Sequence, residues 1–312
     1  MSDAGGPEIQ GEALRNEPMA RHTSFRIGGP ADLLVLPAHE DDVVEAVHWA
    51  SERGLPVTVL GNGTNVLVAD AGIRGVTILI AKALAAIRVE GAEVTAGCGA
   101  PLMKVAFQAA RAGLSGMEFA EGIPGTLGGA IYMNAGTLLG EVKDCLASVD
   151  AVTREGERVT LSPSDLCLTY RTSALKETRH ILLSARFVLR KAPPEEVKAA
   201  MARMRQRRQA TQPHAEPSAG CVFKNPGGGR SSGKMLDGAG AKGMTEGGAR
   251  VSQEHANFVV NAGAARAEDV VNLMRRMRAL ILEREGILLR PEVEFVGDWE
   301  TEPFAMEPEA AR

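Results

Sequence analysis

The spacing of apolar and polar positions changes several times along the chain, and each change predicts an element. Leu33 to Leu36 is a short apolar run, and Val43, Val44, Val47 and Ala50 then recur at helical spacing between His39 and Arg53. A second apolar run, Val57 to Leu60, ends abruptly in Gly61, Asn62, Gly63, Thr64 and Asn65. Alternation over Ile87 to Glu90 and Glu93 to Ala96, turned at Gly91, predicts a hairpin; Ser148 to Val152 and Arg158 to Leu161 predict another around Glu155 and Gly156. Pro101 to Arg111 reads as an amphipathic helix, and Ile181, Leu183 and Phe187 mark a further buried strand. Beyond Pro193 the chain becomes a charged helix. Val270, Leu273, Met274, Met277, Leu280 and Ile281 predict a strong helix over 267–286, with Glu268 and Asp269 in its first turn and Gly286 at its end. RPEVEFVG closes the pattern as a strand. Strands outnumber helices around the second hairpin.

The most unusual stretch is GIPGTLGGAIYMNAG, Gly122 to Gly136. Glycines at 122, 125, 128, 129 and 136, with small residues at Thr126, Ala130 and Ala135, leave the main chain uncovered, so its N–H groups can approach a polyanionic ligand. A turn that needs positive φ explains only some of them. The loop after Val57 to Leu60 is of the same kind, a strand running into small residues, although a plain β-turn fits it equally well. GCGAPL looks like a dinucleotide fingerprint, but Leu102 stands where the third glycine belongs and no acidic residue ends a following strand at the right distance.

Composition narrows the class. The 312 residues are 45% hydrophobic with a formal net charge of -4, enough for a sizeable core and no global field for nucleic acid or acidic membranes. Arg203, Arg205, Arg207 and Arg208 form a basic run without interleaved aromatics, read as a solvated helix face. No apolar segment approaches the ~18 residues of a membrane helix, and the N-terminus is unlike a signal peptide, so a cytoplasmic location is expected. Cys98, Cys145, Cys167 and Cys221 are too scattered for a zinc site or a disulfide framework, and no metal is expected.

SFRIGG, LGNGTN, the 122–136 stretch, YRTS, PSAGCVFKNP, SQEHANFVVN and PEVEFVG follow one another in an order that resembles the UDP-N-acetylenolpyruvoylglucosamine reductases, over about residues 20–300. The short spacing from YRTS to PSAGCVFKNP resembles the family's second type. The resemblance implies an α+β fold: a two-part FAD-binding domain of the vanillyl-alcohol oxidase (PCMH-type) superfamily plus a separate α/β substrate-binding domain. The expected divisions are a disordered leader over 1–18, the first part of the FAD domain over 19–82 with 291–300 returning to it, its second part over 83–195, the substrate domain over 196–290 and a disordered tail over 301–312. It further implies FAD held by Gly61, Asn62, Gly63, Thr64, Asn65, Ile123, Pro124, Gly125, Thr126, Gly129 and Ala130. No histidine stands in the first loop to form a covalent flavin link, so the FAD is expected to be non-covalent. NADPH is the implied co-substrate, a UDP-sugar enolpyruvate the substrate, and a monomer the expected state, with neither nucleic acid nor membrane as partner.

The implied reaction reduces the enolpyruvyl double bond, and its chemistry assigns roles. Hydride added to the terminal methylene carbon leaves an enolate-like charge beside the carboxylate, which calls for a cation there and an acid at the adjacent carbon. Arg171 in YRTS suits the carboxylate, since a guanidinium is always charged and grips it with two parallel hydrogen bonds. Glu292 matches the family's glutamate; Glu294, two residues on, is its decoy on the same strand face. Cys221 stands where most relatives carry serine as proton donor, and a thiol with a reference pKa of ~8.5 is still mostly protonated at neutral pH. Tyr170, Lys224, Asn225 and His255 match positions that line the substrate site. Two other readings remain open: an FAD oxidase or dehydrogenase acting on a sugar alcohol or lactone, and a non-catalytic nucleotide-binding protein.

Overall fold

The computed structural model describes residues 5–81, 83–213 and 216–304. The chain divides into two compact units, one of Met1–Glu17, Ala31–Asn62 and Arg74–Thr211, the other of Pro18–Pro30, Gly63–Ile73 and Gln212–Arg312.

In the larger unit a four-stranded sheet runs in the order Glu12–Pro18, Pro30–Leu36, Ile73–Leu79, Val57–Leu60, the last two in parallel. The helix Glu40–Glu52 buries Val43, Ala46, Val47 and Ala50 in the same core as Leu33, Val35, Val76 and Ile78, each larger side chain contributing about 1.5–3 kcal/mol. A five-stranded antiparallel sheet follows the order Arg158–Leu161, Leu146–Val152, Ile181–Val188, Glu93–Gly97, Ile87–Glu90. Both hairpins expected from alternation are there. The helix Leu102–Arg111 turns Leu102, Val105, Ala106, Ala109 and Ala110 inward.

Three expectations are corrected. The segment expected as a disordered leader contains the strand Glu12–Pro18, and the buried carboxylate of Asp42 takes the N–H groups of Gln10 and Gly11 at 3.0 and 2.9 Å as well as that of Ala38 at 2.7 Å. A sheet edge is satisfied by main-chain bonds and needs no apolar side chains, so composition did not reveal it. The expected tail is ordered through Phe304, whose ring stacks on Phe295 at 5.4 Å and meets Phe223 edge-on at 6.5 Å, while Pro303 O accepts from Arg275 Nη2 at 3.2 Å. Residues 1–4 and 305–312 lie outside the described residues. The charged helix Pro194–Thr211, expected to open the substrate domain at 196, seats Val197 and Met201 in the larger unit's core; the division falls at Gln212.

The smaller unit holds an antiparallel sheet, Ser218–Cys221, Phe258–Asn261, Ala249–Val251, Thr245–Glu246. Its main helix, Ala267–Glu285, buries Val270, Leu273, Met274, Met277 and Ile281 and ends at Gly286 with φ 67°. The helix start is satisfied by Asp70, whose carboxylate accepts from Ala267 N at 2.9 Å and Glu268 N at 3.2 Å. Val66–Val68 pairs in parallel with Glu294–Val296.

Candidate active site

In the larger unit the two glycine-bearing segments meet. The strand Val57–Leu60 delivers Gly61, and a Cβ built on Gly61 would stand 2.3 Å from Thr126 Oγ1, so only glycine permits this approach. Thr126 caps the short helix Leu127–Tyr132 by accepting from Gly129 N at 3.2 Å. Leu102 N donates to Gly125 O at 3.0 Å, Leu127 N to Ala100 O at 2.9 Å and Gly128 N to Cys98 O at 2.8 Å, fixing the segment to its neighbours. The N–H groups of Ile123, Gly129 and Ala130 are likewise committed, to Ala120 O, Thr126 Oγ1 and Thr126 O. Among the described residues the N–H groups of Gly61, Asn62, Gly125 and Thr126 have no intramolecular partner. Such uncovered donors fit a phosphate.

The far end of the glycine stretch holds Arg171. Thr169 and Thr172 close a tight turn by exchanging main-chain bonds at 3.1 and 3.2 Å, with Arg171 at φ 55°. The turn is tied down at three points. Asn134 Nδ2 donates to Thr169 O at 3.0 Å, Ser173 Oγ to Tyr132 O at 2.7 Å, and Arg171 Nη2 to Gly136 O at 3.0 Å. The guanidinium carbon also lies 5.2 Å from the ring centre of Tyr170, which is 48% exposed and therefore open to a ligand.

In the smaller unit Cys221 ends the strand Ser218–Cys221, and Glu292 lies just ahead of the strand Glu294–Val296, next to an isolated antiparallel bridge between Pro291 and Phe223. A one-residue bulge with Gly220 at φ 79° separates the Ser218–Val260 and Cys221–Phe258 pairs and re-aims the chain ahead of the half-buried thiol. Glu292 N donates to Val222 O at 2.8 Å and Lys224 N to Arg290 O at 2.9 Å, which sets the glutamate beside the cysteine strand. Buried Asn257 holds both main-chain groups of Phe223, accepting from its N at 3.0 Å and donating to its O at 2.8 Å. Asn225 Oδ1 accepts from Ser232 N at 3.0 Å, and Ser232 Oγ donates to Lys224 O at 2.5 Å. His255 lies over Gly233, where an added Cβ would meet its ring at 2.7 Å, and its Nδ1 accepts from Asn257 N at 3.2 Å. Burial, then the Lys242 charge, pushes its pKa below the usual imidazole value. With Nδ1 accepting from Asn257 N, Nε2 is the ring nitrogen left to carry a proton.

A family model described as "FAD binding domain" matches residues 31–162, and one described as "UDP-N-acetylenolpyruvoylglucosamine reductase, C-terminal domain" matches residues 212–296. The UDP-N-acetylenolpyruvoylglucosamine reductase of Agathobacter rectalis is 44% identical over 298 residues, 92% of this chain and 94% of that one. The enzyme of that name from Exiguobacterium sibiricum is 44% identical over 285 residues, 91% and 93% of the two chains. The chain belongs to the UDP-N-acetylenolpyruvoylglucosamine reductase family. A crystal structure of the reductase from Thermus caldophilus agrees, with a TM-score of 0.78 at 36% identity over 92% of this chain and 99% of that one. The fold is accordingly an α+β FAD-binding domain followed by the reductase family's C-terminal domain. FAD is the cofactor, and the donors at Gly61, Asn62, Gly125 and Thr126 suit its diphosphate. Among the described residues no helix is long and apolar enough to cross a membrane.

Asn134, Ser173 and Asn257 were not singled out by sequence reasoning. Their weight comes from the groups they bond; the only signal was a polar residue embedded in an otherwise apolar or glycine-rich motif. Gly63, Thr64 and Asn65 continue the first loop into the smaller unit, where Ser24 N donates to Gly63 O at 3.0 Å.

Proposed function

We propose that this chain reduces the enolpyruvyl double bond of UDP-N-acetylglucosamine enolpyruvate to give UDP-N-acetylmuramate, with NADPH as reductant, in peptidoglycan precursor synthesis. Bound FAD supplies the chemistry of accepting hydride from the nicotinamide and passing it on. Arg171 grips the substrate carboxylate and stabilises the negative charge that grows beside it. Cys221 gives its thiol proton to the carbon next to that carboxylate, and Glu292 hydrogen-bonds the developing enolate. Tyr170, Lys224, Asn225 and His255 bind the substrate, with the substrate-holding role centred on the C-terminal domain. Gly61 to Asn65, Ile123 to Thr126, Gly129 and Ala130 hold FAD without a covalent link. The enzyme is of the family's second type and acts as a monomer in the cytoplasm, where nucleotide sugars are made.

One observation carries the reading. Within one unit the segment with uncovered N–H donors is hydrogen-bonded at its far end to Arg171, which supports an anion cradle and a cation that act together. Anaerobic stopped-flow on Cys221→Ala and Cys221→Ser tests it. NADPH should bleach the flavin of both at the parent rate, the enolpyruvyl sugar should recolour only Cys221→Ser, and normal recolouring of Cys221→Ala would refute the thiol's role.

A further inference from the structure

Resting on that function, we propose that Asn65, expected from the sequence as a cofactor contact, is the positioning residue for Glu292. Val66–Val68 and Glu294–Val296 form a parallel ladder, and Asn65 stands just before its first pair, Val66 with Glu294. A regular parallel ladder extended by one step would join Asn65 O to Glu294 N and Asn65 N to Glu292 O. Only the first of these is made, at 2.9 Å. In place of the second, the side-chain amide Nδ2 of Asn65 donates to Glu292 O at 3.1 Å.

This substitution has two consequences. Glu292 is held at both main-chain groups, its N–H on Val222 O at 2.8 Å and its carbonyl on the Asn65 amide, so the direction of its side chain is set by the cysteine strand on one side and by the first glycine loop on the other. The main-chain N–H of Asn65 is at the same time released from the ladder, and among the described residues it has no intramolecular partner. One side chain thus frees a donor at the end of the Gly61 to Asn65 loop and aims the glutamate. The end of the loop and the main chain of the glutamate are coupled through the Asn65 amide.

The test compares Asn65→Ala and the isosteric Asn65→Asp, whose carboxylate repels the Glu292 carbonyl, with Glu292→Gln and the Asn65→Ala/Glu292→Gln double variant, all saturated with FAD. Recolouring by the enolpyruvyl sugar, taken relative to each variant's own NADPH bleaching, should slow about tenfold or more in both Asn65 variants. The double variant should be no slower than Glu292→Gln alone, because Asn65 acts through the glutamate. Hydrogen exchange of the holoenzyme followed by mass spectrometry should rise about fivefold or more over residues 290–296 in Asn65→Ala. Parent-rate recolouring in the Asn65 variants, unchanged exchange over 290–296, or losses that multiply in the double variant would each overturn the proposal. Parent-rate recolouring of Glu292→Gln would instead overturn the glutamate's own role.

Discussion

Asn134 offers the sharpest test of how the arginine turn is built. The residue is fully buried and lies at φ 41°, and its side chain makes three hydrogen bonds: Nδ2 to Thr169 O at 3.0 Å and to Glu141 Oε2 at 2.9 Å, with Oδ1 accepting from Lys143 N at 3.1 Å. Asn134→Ala strips all three. At about 1 kcal/mol net for each, the bonds amount to about 3 kcal/mol. A left-handed backbone costs alanine a further ~1 kcal/mol, a strain glycine escapes. We therefore expect Asn134→Ala to lose about 4 kcal/mol, a large share of the roughly 5–15 kcal/mol typical of a folded protein, and Asn134→Gly to retain about 1 kcal/mol more. Urea unfolding followed by circular dichroism measures both. The kinetic counterpart is slower recolouring by the enolpyruvyl sugar with NADPH bleaching unchanged, since the turn that carries Arg171 is loosened. A loss below about 1 kcal/mol for Asn134→Ala would refute the accounting, and equal stability of the two variants would refute the strain.

Three further perturbations read other parts of the structure. Gly61→Ala drives a Cβ to 2.3 Å from Thr126 Oγ1; flavin content after gel filtration should fall and stability drop by about 1 kcal/mol as the helix cap is displaced, and Gly61→Ala/Thr126→Ala should recover flavin, whereas full loading of Gly61→Ala would discount the close approach. Burial raises the Asp42 pKa, but the bonds from Ala38, Gln10 and Gly11 and the nearby His39 outweigh it and leave the carboxyl below its ordinary value. A depressed folded pKa gives stability that is present above the unfolded value of about 3.9 and is lost as pH falls through the folded one. The stability gap between parent and Asp42→Asn should therefore narrow only below about pH 4, and a gap that narrows near pH 6 would exclude this carboxylate as the cause. Arg205 Nε meets the buried Glu121 at 2.8 Å, although the arginine is 57% exposed; with that solvent screening, Arg205→Ala should cost about 1–2 kcal/mol and Glu121→Gln/Arg205→Ala should restore part of it, while purely additive losses would argue against the pair.

Much of the fold was legible because side-chain periodicity reports burial directly. The hairpin about Gly91 and the stripe of Ala267–Glu285 are of this kind, one strict alternation and one helical face, and both fold where their pattern puts them. Elements held by main-chain bonds left no such trace. Glu12–Pro18 joins a sheet edge with an almost fully exposed set of side chains, and Leu127–Tyr132 is helical despite two glycines because Thr126 caps it. Pro194–Thr211 misled through its composition: Val197, Met201 and Met204 form a thin buried line that a charged majority hides.

The candidate site divides along the same line. Residue types that carry chemistry, a guanidinium, a thiol and a carboxylate, could be named from motifs because each answers a need of the reaction. Their orientation could not, since it depends on amides whose partners are distant in sequence: Asn65 on the Glu292 carbonyl, Asn134 on the Thr169 carbonyl, Asn257 on Phe223. An amide suits this work because it carries donors and an acceptor without charge, so it can replace a missing main-chain donor in a buried place where a charged group would demand a counter-ion. Each of these amides fixes main chain close to a proposed catalytic residue rather than the residue's own charged group. The main chain of Thr169, Phe223 and Glu292 is thereby fixed at or beside Arg171, Cys221 and Glu292.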